Sequence, residues 1–477
     1  MKLIYGVKDK PKFGQLIIFS LQQLLAIMTA TLVVPVITQH GMSSAAALFG
    51  AGVGTIVYLL FTLFRSPVFL GSSFAFLGSM AAAFAGGISM SLGYLGLILG
   101  AVFAGLVYVV IAIIIKLVGV KWINKLMPPV VIGPTVAVIG LSLASNATGD
   151  AVTGGLKNAA GASVCSPLVA LICAIVTLFT VIICSTYGKK MAKLIPFVIG
   201  IGAGYLCATI FTVIGNAAGI DALKVINFEI FSSLLDNGKV TLSTFFAVPN
   251  FTFLTALGGF KELTPAYVGT IAVAYIPVAF VVFAEHIADH ENISSIIGTN
   301  LLENPGLHRT LLGDGVGSMV GAFFGGCPNT TYGESIGCVA ITRNASVYSI
   351  LGAAIGAIII SFLTPFVAFV NSIPSCVMGG VCIALYGFIA VSGLKMLNGI
   401  DLGENRNLFV VSTILVTGIG GLSVSFGKIT LTAVATALIL GIVVNAILSN
   451  KKDKSAHTTD EIKDMPSEDK KETKKKK

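Results

Sequence analysis

The residues "CPNTTYGES", Cys327–Ser335, decide how the chain is read. They break an apolar stretch with two hydroxyls, an aromatic ring, a glycine and a carboxylate, Glu334. Rich in β-branched and hydroxyl residues, the run fits a short extended strand better than a membrane helix. "GSSFAF", Gly71–Phe76, has the same build. Ser72-Ser73-Phe74-Ala75 set against Thr330-Thr331-Tyr332-Gly333 matches two hydroxyls, an aromatic and a small residue, at an offset of 258. A second echo follows each: Pro128-x-x-Val131-x-Gly133 against Pro374-x-x-Val377-x-Gly379, at an offset of 246. Matched interruptions in two halves of a chain point to a transporter site built from an internal repeat. Extended backbone at membrane depth is tolerated only where it is buried in protein or lines a cavity. Two such strands can satisfy each other, and helices starting just after them aim N-terminal N–H groups at one point.

The rest of the chain is consistent with lipid as its solvent. Of 477 residues, 55% are hydrophobic and only 11% charged, against about 25% charged in soluble domains. About fourteen spans are expected, near 14–36, 43–64, 68–87, 93–118, 129–145, 167–185, 194–215, 267–289, 311–325, 328–343, 347–371, 377–397, 407–422 and 428–449. Lysines and arginines test that count. Lys2, Lys8, Lys10, Lys12, Lys116, Lys121, Lys125, Lys189, Lys190, Lys193, Arg309, Arg343 and the Lys-rich tail fall on one side if both ends are cytoplasmic; Lys428 is the exception. Seven spans per half is odd, so the second half is inverted in the membrane. The net charge of +9 has no accompanying basic face or motif, which argues against nucleic acid as a partner. The eight cysteines form no CxxC pair and read as small buried hydrophobes. No cleavable leader is expected at the first apolar span.

Ionisable residues inside spans are the sharpest chemical clue, since each costs roughly 2.5–3.5 kcal/mol at a helix centre. Glu285, His286, Asp289 and His290 cluster in "AEHIADH", and Glu334 stands at the break. Glu285 and Asp289, four apart, share a helix face, and so do His286 and His290. The bland reading of Glu285, Asp289 and His290 is a span end facing water; for His286 it is structural packing. Gln22 and Gln23 fit either a binding amide or an interhelical hydrogen bond. Ser73, Phe74 and Tyr332 can offer hydroxyl, ring face and backbone N–H to a flat ligand, or simply pack as strands do. Tyr386 reads first as a packing aromatic. Two acids, aromatic faces and backbone donors with no cluster of Lys or Arg suit a small, neutral, planar molecule with N–H groups. A buried carboxyl can also take up a proton.

With these residues in view, the chain resembles the nucleobase–ascorbate transporter family, most of all its bacterial uracil permeases. The resemblance covers nearly all of residues 6–450. It rests on "SLQQLLAIMTATLVVPV", "LGSSFAF", "AEHIADH", "NPGLHR" and "PNTTYGESIGCVAITR". The last carries the family signature Glu-x-x-Gly-x-x-x-x-Thr-Arg through Glu334, Gly337, Thr342 and Arg343. The resemblance implies an all-α polytopic membrane protein of two inverted seven-span repeats, with core and gate domains and short antiparallel strands in spans 3 and 10. It implies proton-coupled uptake of uracil across the cell membrane, with no cofactor, no metal and no covalent chemistry. Glu285 and Glu334 would bond the base. Phe74 and Gly333 would supply N–H groups, with Ser73, Tyr332, Ala30 and Tyr386 nearby. Glu285, Asp289 and His290 would handle the proton, and two copies would pair through the gate.

Three positions depart from the family. Gln22-Gln23 stands for its Gln-His, Ser335 for a common Asn, and Asp289 for a His found in the uracil permease compared. The implied layout is a cytoplasmic N-terminus at 1–13; first core part with the start of the gate at 14–145; gate at 146–215; external loop at 216–266; core at 267–371; gate at 372–450; and a disordered tail at 451–477. Competing readings are an anion carrier on the same fold, a xanthine or purine permease, a non-transporting nucleobase sensor, and a metalloenzyme using Glu285, His286, Asp289 and His290.

Overall fold

A computed structural model of the chain describes residues 3–38, 40–119, 122, 127–156, 158, 163–189, 191–235, 239–426 and 429–448. Lys2, Lys121, Lys125, Lys190, Lys428 and the tail at 451–477 lie outside these residues. The first half runs α1 (Phe13–Thr38), α2 (Ser44–Phe61), β1 (Leu70–Ser72), α3 (Leu77–Ala83), α4 (Met90–Val118), α5 (Pro129–Ser142), α6 (Ala144–Ala151), α7 (Pro167–Tyr187) and α8 (Pro196–Ala218). The second runs α9 (Pro265–Ile297), α10 (Leu307–Gly325), β2 (Asn329–Thr331), α11 (Gly333–Thr342), α12 (Val347–Ser361), α13 (Thr364–Ser372), α14 (Ser375–Lys395), α15 (Asn405–Ile419), β3 (Val424–Phe426), β4 (Ile429–Leu431) and α16 (Ala433–Leu448).

Local chemistry sets many of the starts. Proline opens α5, α7, α8 and α9, where its missing N–H is unneeded. The Ser43, Ser89 and Thr264 side chains accept from the backbone N–H of Ala46, Leu92 and Tyr267. Eight helical segments among the described residues are long and apolar enough to cross a membrane. Phe74–Ala83, Val347–Ser361 and Ala433–Leu448 are shorter and apolar. The Gly-rich α10, the half-helix α11 and α15 complete fourteen spans. Flanks of α7 and α8 leave Leu168, Phe179, Ile183, Leu206 and Val213 bare, as lipid contact requires.

Packing shows the repeat. The contact of α10 with α4 recurs as α2 with α12, and α9 with α4 recurs as α1 with α12. The pairing of α7 with α8 recurs as α15 with α16, and α14 with α7 as α15 with α5. Two pairings, α2 with α10 and α5 with α14, are each their own counterpart. Such a contact map is that of two halves related by a two-fold axis in the membrane plane. The helices also sort into two groups: α1–α4 with α9–α12, and α5–α8 with α14–α16, joined by far fewer contacts than either holds within.

Four sequence expectations change. The strands set the equivalence at 259, one more than the sequence echo, because β1 and β2 occupy 70–72 and 329–331. Matching side-chain types had outweighed the one-residue shift; the corrected register makes Phe74 the counterpart of Gly333. Span 347–371 is two helices, bent at Phe362–Leu363 before Pro365. Helix α9 continues two turns past 289 to Ile297, ended by Gly298 at φ +71°, so "AEHIADH" is helix interior. A hairpin, β3 with β4, precedes the last α-helix; β3 lies between the expected spans 407–422 and 428–449, and β4 falls inside the latter because Ile-Thr-Leu adjoins an apolar stretch. In addition, the 216–266 loop carries short helical turns and is anchored by Phe251 and Phe253 stacking on Phe49, Phe323 and Phe324.

Close backbone approach holds the centre of the first group. A Cβ on Gly54 would lie 2.6 Å from the Gly317 carbonyl oxygen, and one on Gly317 would lie 2.7 Å from that of Gly54. Gly54→Leu and Gly317→Leu are therefore each expected to destabilise the purified protein by about 1–3 kcal/mol or more. Gly202→Ala, with open space around it, should leave the melting temperature unchanged. Thermal unfolding in detergent checks this, and an unshifted melting point for Gly54→Leu would refute the packing.

Candidate functional site

The two strands pair antiparallel, Leu70 with Thr331, Gly71 with Thr330 and Ser72 with Asn329. A two-stranded ribbon has two open edges, and neighbouring groups close them. Thr55 Oγ1 accepts from Leu70 N–H (2.9 Å) and donates to Leu70 O (3.1 Å). Ser335 Oγ accepts from Phe69 N–H at 3.1 Å. Tyr332 Oη donates to Ser72 O at 2.6 Å, and Asn329 Nδ2 to Gly50 O at 3.3 Å. The ribbon ends extend as Ser73 N–H to Pro328 O (2.8 Å) and Tyr332 N–H to Phe69 O (3.2 Å).

Each strand leads into a helix. A 3₁₀ turn, Phe74–Phe76, opens α3, and Gly333 opens α11. Ser73 and Tyr332 precede them in extended conformation, and neither helix start has a side-chain cap. Uncapped N–H groups from two opposed helices thus converge where the strands cross.

A cavity of about 50 Å³ lies at that crossing. Its polar wall comes from the first helix group: Ser73, Phe74, Glu285, Thr330, Thr331, Tyr332, Gly333 and Glu334. Its other wall, Ile139 on α5 and Leu385 and Ile389 on α14, is wholly apolar. Among the described residues no Lys or Arg lines it. Six of the sequence candidates therefore meet: Glu285, Glu334, Phe74, Gly333, Ser73 and Tyr332. Ala30 and Tyr386 are buried but do not line the cavity; the Tyr386 ring stands edge-on to Phe74, centroids 5.8 Å apart. Asp289 stands one turn beyond Glu285 and accepts a 2.7 Å bond from the Thr331 hydroxyl.

His290 and His286 turn away from the cavity. His290 Nδ1 bonds the His286 carbonyl (2.8 Å) and Nε2 meets Tyr58 Oη (2.7 Å). A carbonyl only accepts, so Nδ1 carries the proton. His286 pairs with Asp314 on α10, Nδ1 to Oδ2 at 2.7 Å, both fully buried. Sequence reading missed Asp314. Its signal is present, since "LLGDGVGSM" places an acid in the expected span 311–325, but at the fourth residue of that span it reads as a span end. Gln23 reaches the site through a neighbour: its Nε2 donates to Ser335 O at 3.2 Å. Two of the three departures from the family pattern, Gln23 and Ser335, thus touch each other. Among the described residues no three His, Cys, Asp or Glu side chains converge in a way that could hold a metal ion.

With this geometry in hand, similarity to known proteins is decisive. A family model described as "Permease family" matches residues 14–426. The chain belongs to the nucleobase–ascorbate transporter family. Uracil permease of Bacillus caldolyticus is 40% identical, covering 94% of this chain and 96% of that protein. Uracil permease of Bacillus subtilis is 40% identical (96% and 98%), and uracil permease of Escherichia coli K12 is 35% identical (93% and 93%). The family members matched are named permeases, not enzymes. Among solved structures, the transmembrane domain of the cyanobacterial bicarbonate transporter BicA superposes with TM-score 0.57 at 12% identity, covering 92% of this chain and all of that one. SLC26A9 superposes with TM-score 0.60 at 9% identity, covering 92% and 66%. At such identity the likeness of these two transporters is one of fold alone, and it is consistent with two inverted repeats. The chain is a multi-pass membrane protein.

Ser335 gives a direct test of the ribbon. Ser335→Ala strands the buried Phe69 N–H, a cost of about 1–3 kcal/mol. A lowered melting temperature is expected, with Ser335→Thr milder; equal melting points for wild type and Ser335→Ala would show that the bond does not hold β1.

Proposed function

We propose that the chain is a proton-coupled uracil permease of the cell membrane, working by alternating access with both termini cytoplasmic. One observation carries this reading: two carboxylates, Glu285 and Glu334, and two uncapped helix starts share one cavity without a cation. Uracil is planar and presents N–H donors and carbonyl acceptors around a single ring. Glu285 and Glu334 accept from its N–H groups. The backbone N–H groups of Phe74 and Gly333 donate to its carbonyls, and Phe74 and Tyr332 line the pocket beside Ser73. Ala30 and Tyr386 act one shell further out, Tyr386 through Phe74. The names of the 35–40% identical relatives support the same substrate.

Ligand pockets usually measure about 300–1,000 Å³, so the space at the crossing has to open on binding. The apolar wall of Ile139, Leu385 and Ile389 makes no directional bonds, which suits it to slide. The first helix group then acts as the core, in parts 14–145 (with the start of the gate) and 267–371. The second acts as the gate, in parts 146–215 and 372–450, through which two copies pair. A carboxyl among Glu285 and Asp289, with His290 behind them, takes up the coupling proton as substrate binds.

Glu285→Gln and Glu334→Gln each replace a charged acceptor with an amide. Loss of one charged hydrogen bond is worth about 1.5–3 kcal/mol, so labelled-uracil uptake in proteoliposomes should fall at least tenfold (roughly 1.4 kcal/mol) in each, with membrane insertion intact. Uptake at the wild-type rate in both would remove the proposed site. Competition by a panel of bases, with and without a pH gradient, reads out substrate and coupling together.

A further inference from the structure

Next to β2 lies a second cluster of titratable groups that does not line the cavity. Asp314 and His286 are both fully buried and 2.7 Å apart. His286 Nε2 lies 3.0 Å from Thr310 Oγ1, which is also 3.1 Å from the Leu307 carbonyl. The His290 ring stacks on that of His286 with centroids 4.0 Å apart. Tyr108 on α4 presents its ring edge at 6.4 Å. On the strand side the Thr330 hydroxyl lies near the Asp314 carboxylate without reaching hydrogen-bond geometry, and Thr330 lines the cavity. The charged and titratable groups within electrostatic reach are Glu285 and Asp289 on α9, Tyr58 on α2 and Tyr108 on α4. None of them is a Lys or Arg.

The pair has a defect that a proton corrects. Asp314 Oδ1 is buried and has no partner at hydrogen-bond distance. A carboxylate held there with a neutral imidazole is a net negative charge in a dry interior, which is costly. One added proton makes the pair neutral. The hydrogen bonds allow both forms. Without the proton, His286 Nδ1–H donates to Asp314 Oδ2, and Nε2 accepts from the Thr310 hydroxyl. With it, one further proton is held by the pair, Nε2–H donates to Thr310, and the Thr310 hydroxyl turns to the Leu307 carbonyl. The proton comes from water and returns to it, and no other bond changes.

We propose that the Asp314–His286 pair is a further proton-binding site of the transport cycle, outside the substrate cavity and linked to it through Thr330. The inference rests on the reading of the chain as a proton-coupled uracil permease. Asp289 accepts from Thr331 and Asp314 faces its neighbour Thr330, so both acids bear on β2. Loading the pair therefore changes the charge beside a strand whose Thr330 and Thr331 line the cavity. His290, stacked on His286, keeps a second positive charge off the cluster, since like charges at that spacing repel.

The test uses full-length protein in proteoliposomes. Each proton coupled to uracil adds about tenfold to its accumulation per pH unit of gradient, because one unit is worth 1.36 kcal/mol. The logarithm of steady-state accumulation against gradient thus has the proton number as its slope. Asp314→Asn should lower that slope by about one, while counterflow of labelled uracil at equal pH on both sides persists. His286→Gln should do the same, and serves alone if Asp314→Asn does not fold. An unchanged slope in either active variant overturns the proposal. So does loss of counterflow in a variant that melts like wild type, which would assign the pair to the frame alone. Failure of the underlying reading shows in wild type instead, as absent counterflow or a slope of zero.

Discussion

Unpaired backbone cannot face lipid, and that constraint organises this molecule. Two spans break halfway, at Leu70–Phe76 and Asn329–Gly333, and each break frees N–H and C=O groups where no water is at hand. The strands pair with each other, and Thr55, Ser335, Tyr332 and Asn329 close what remains. The groups left over are the first N–H groups of two half-helices. They point at the cavity because nothing else was placed to receive them. The polar character of the cavity is thus what a satisfied fold leaves over, with Glu285 and Glu334 lining the same space.

The division of labour between the two walls follows. Every polar group at the cavity belongs to elements of the first helix group, which are bonded to one another through the ribbon. The second group contributes only Ile139, Leu385 and Ile389. The polar lining is therefore built into one helix group, and the apolar surface it faces makes no directional bonds to it. Close glycine contacts, Gly54 with Gly317 within the first group and Gly133 with Gly393 within the second, stiffen each body. The buried Asp314–His286 and His290–Tyr58 bonds tie α9 to α10 and α2 in the same body.

Much of this was legible in the sequence, for physical reasons. Apolar runs near 20 residues mark spans, and a hydroxyl-rich interruption such as Asn329–Ser335 is conspicuous against them. Glu285 and Glu334 stand out because acids are rare in lipid. What failed to show was side-chain direction. His290 and Asp289 are adjacent in sequence, yet one bonds Tyr58 and the other Thr331. A helix turns about 100° per residue, and only packing says which face meets which neighbour. Asp314 was hidden by its place near a span end. The β3–β4 hairpin was hidden because three-residue strands carry no period to detect. The one-residue error in the repeat arose from matching side chains where backbone hydrogen bonds set the register.

The measurement that tests this account most directly is a structure of the protein solved with uracil bound. The account predicts the ring at the strand crossing, within hydrogen-bond distance of Glu285 and Glu334, with its carbonyls on the N–H groups of Phe74 and Gly333. Uracil seated elsewhere, or at the crossing with neither carboxylate in contact, would contradict it.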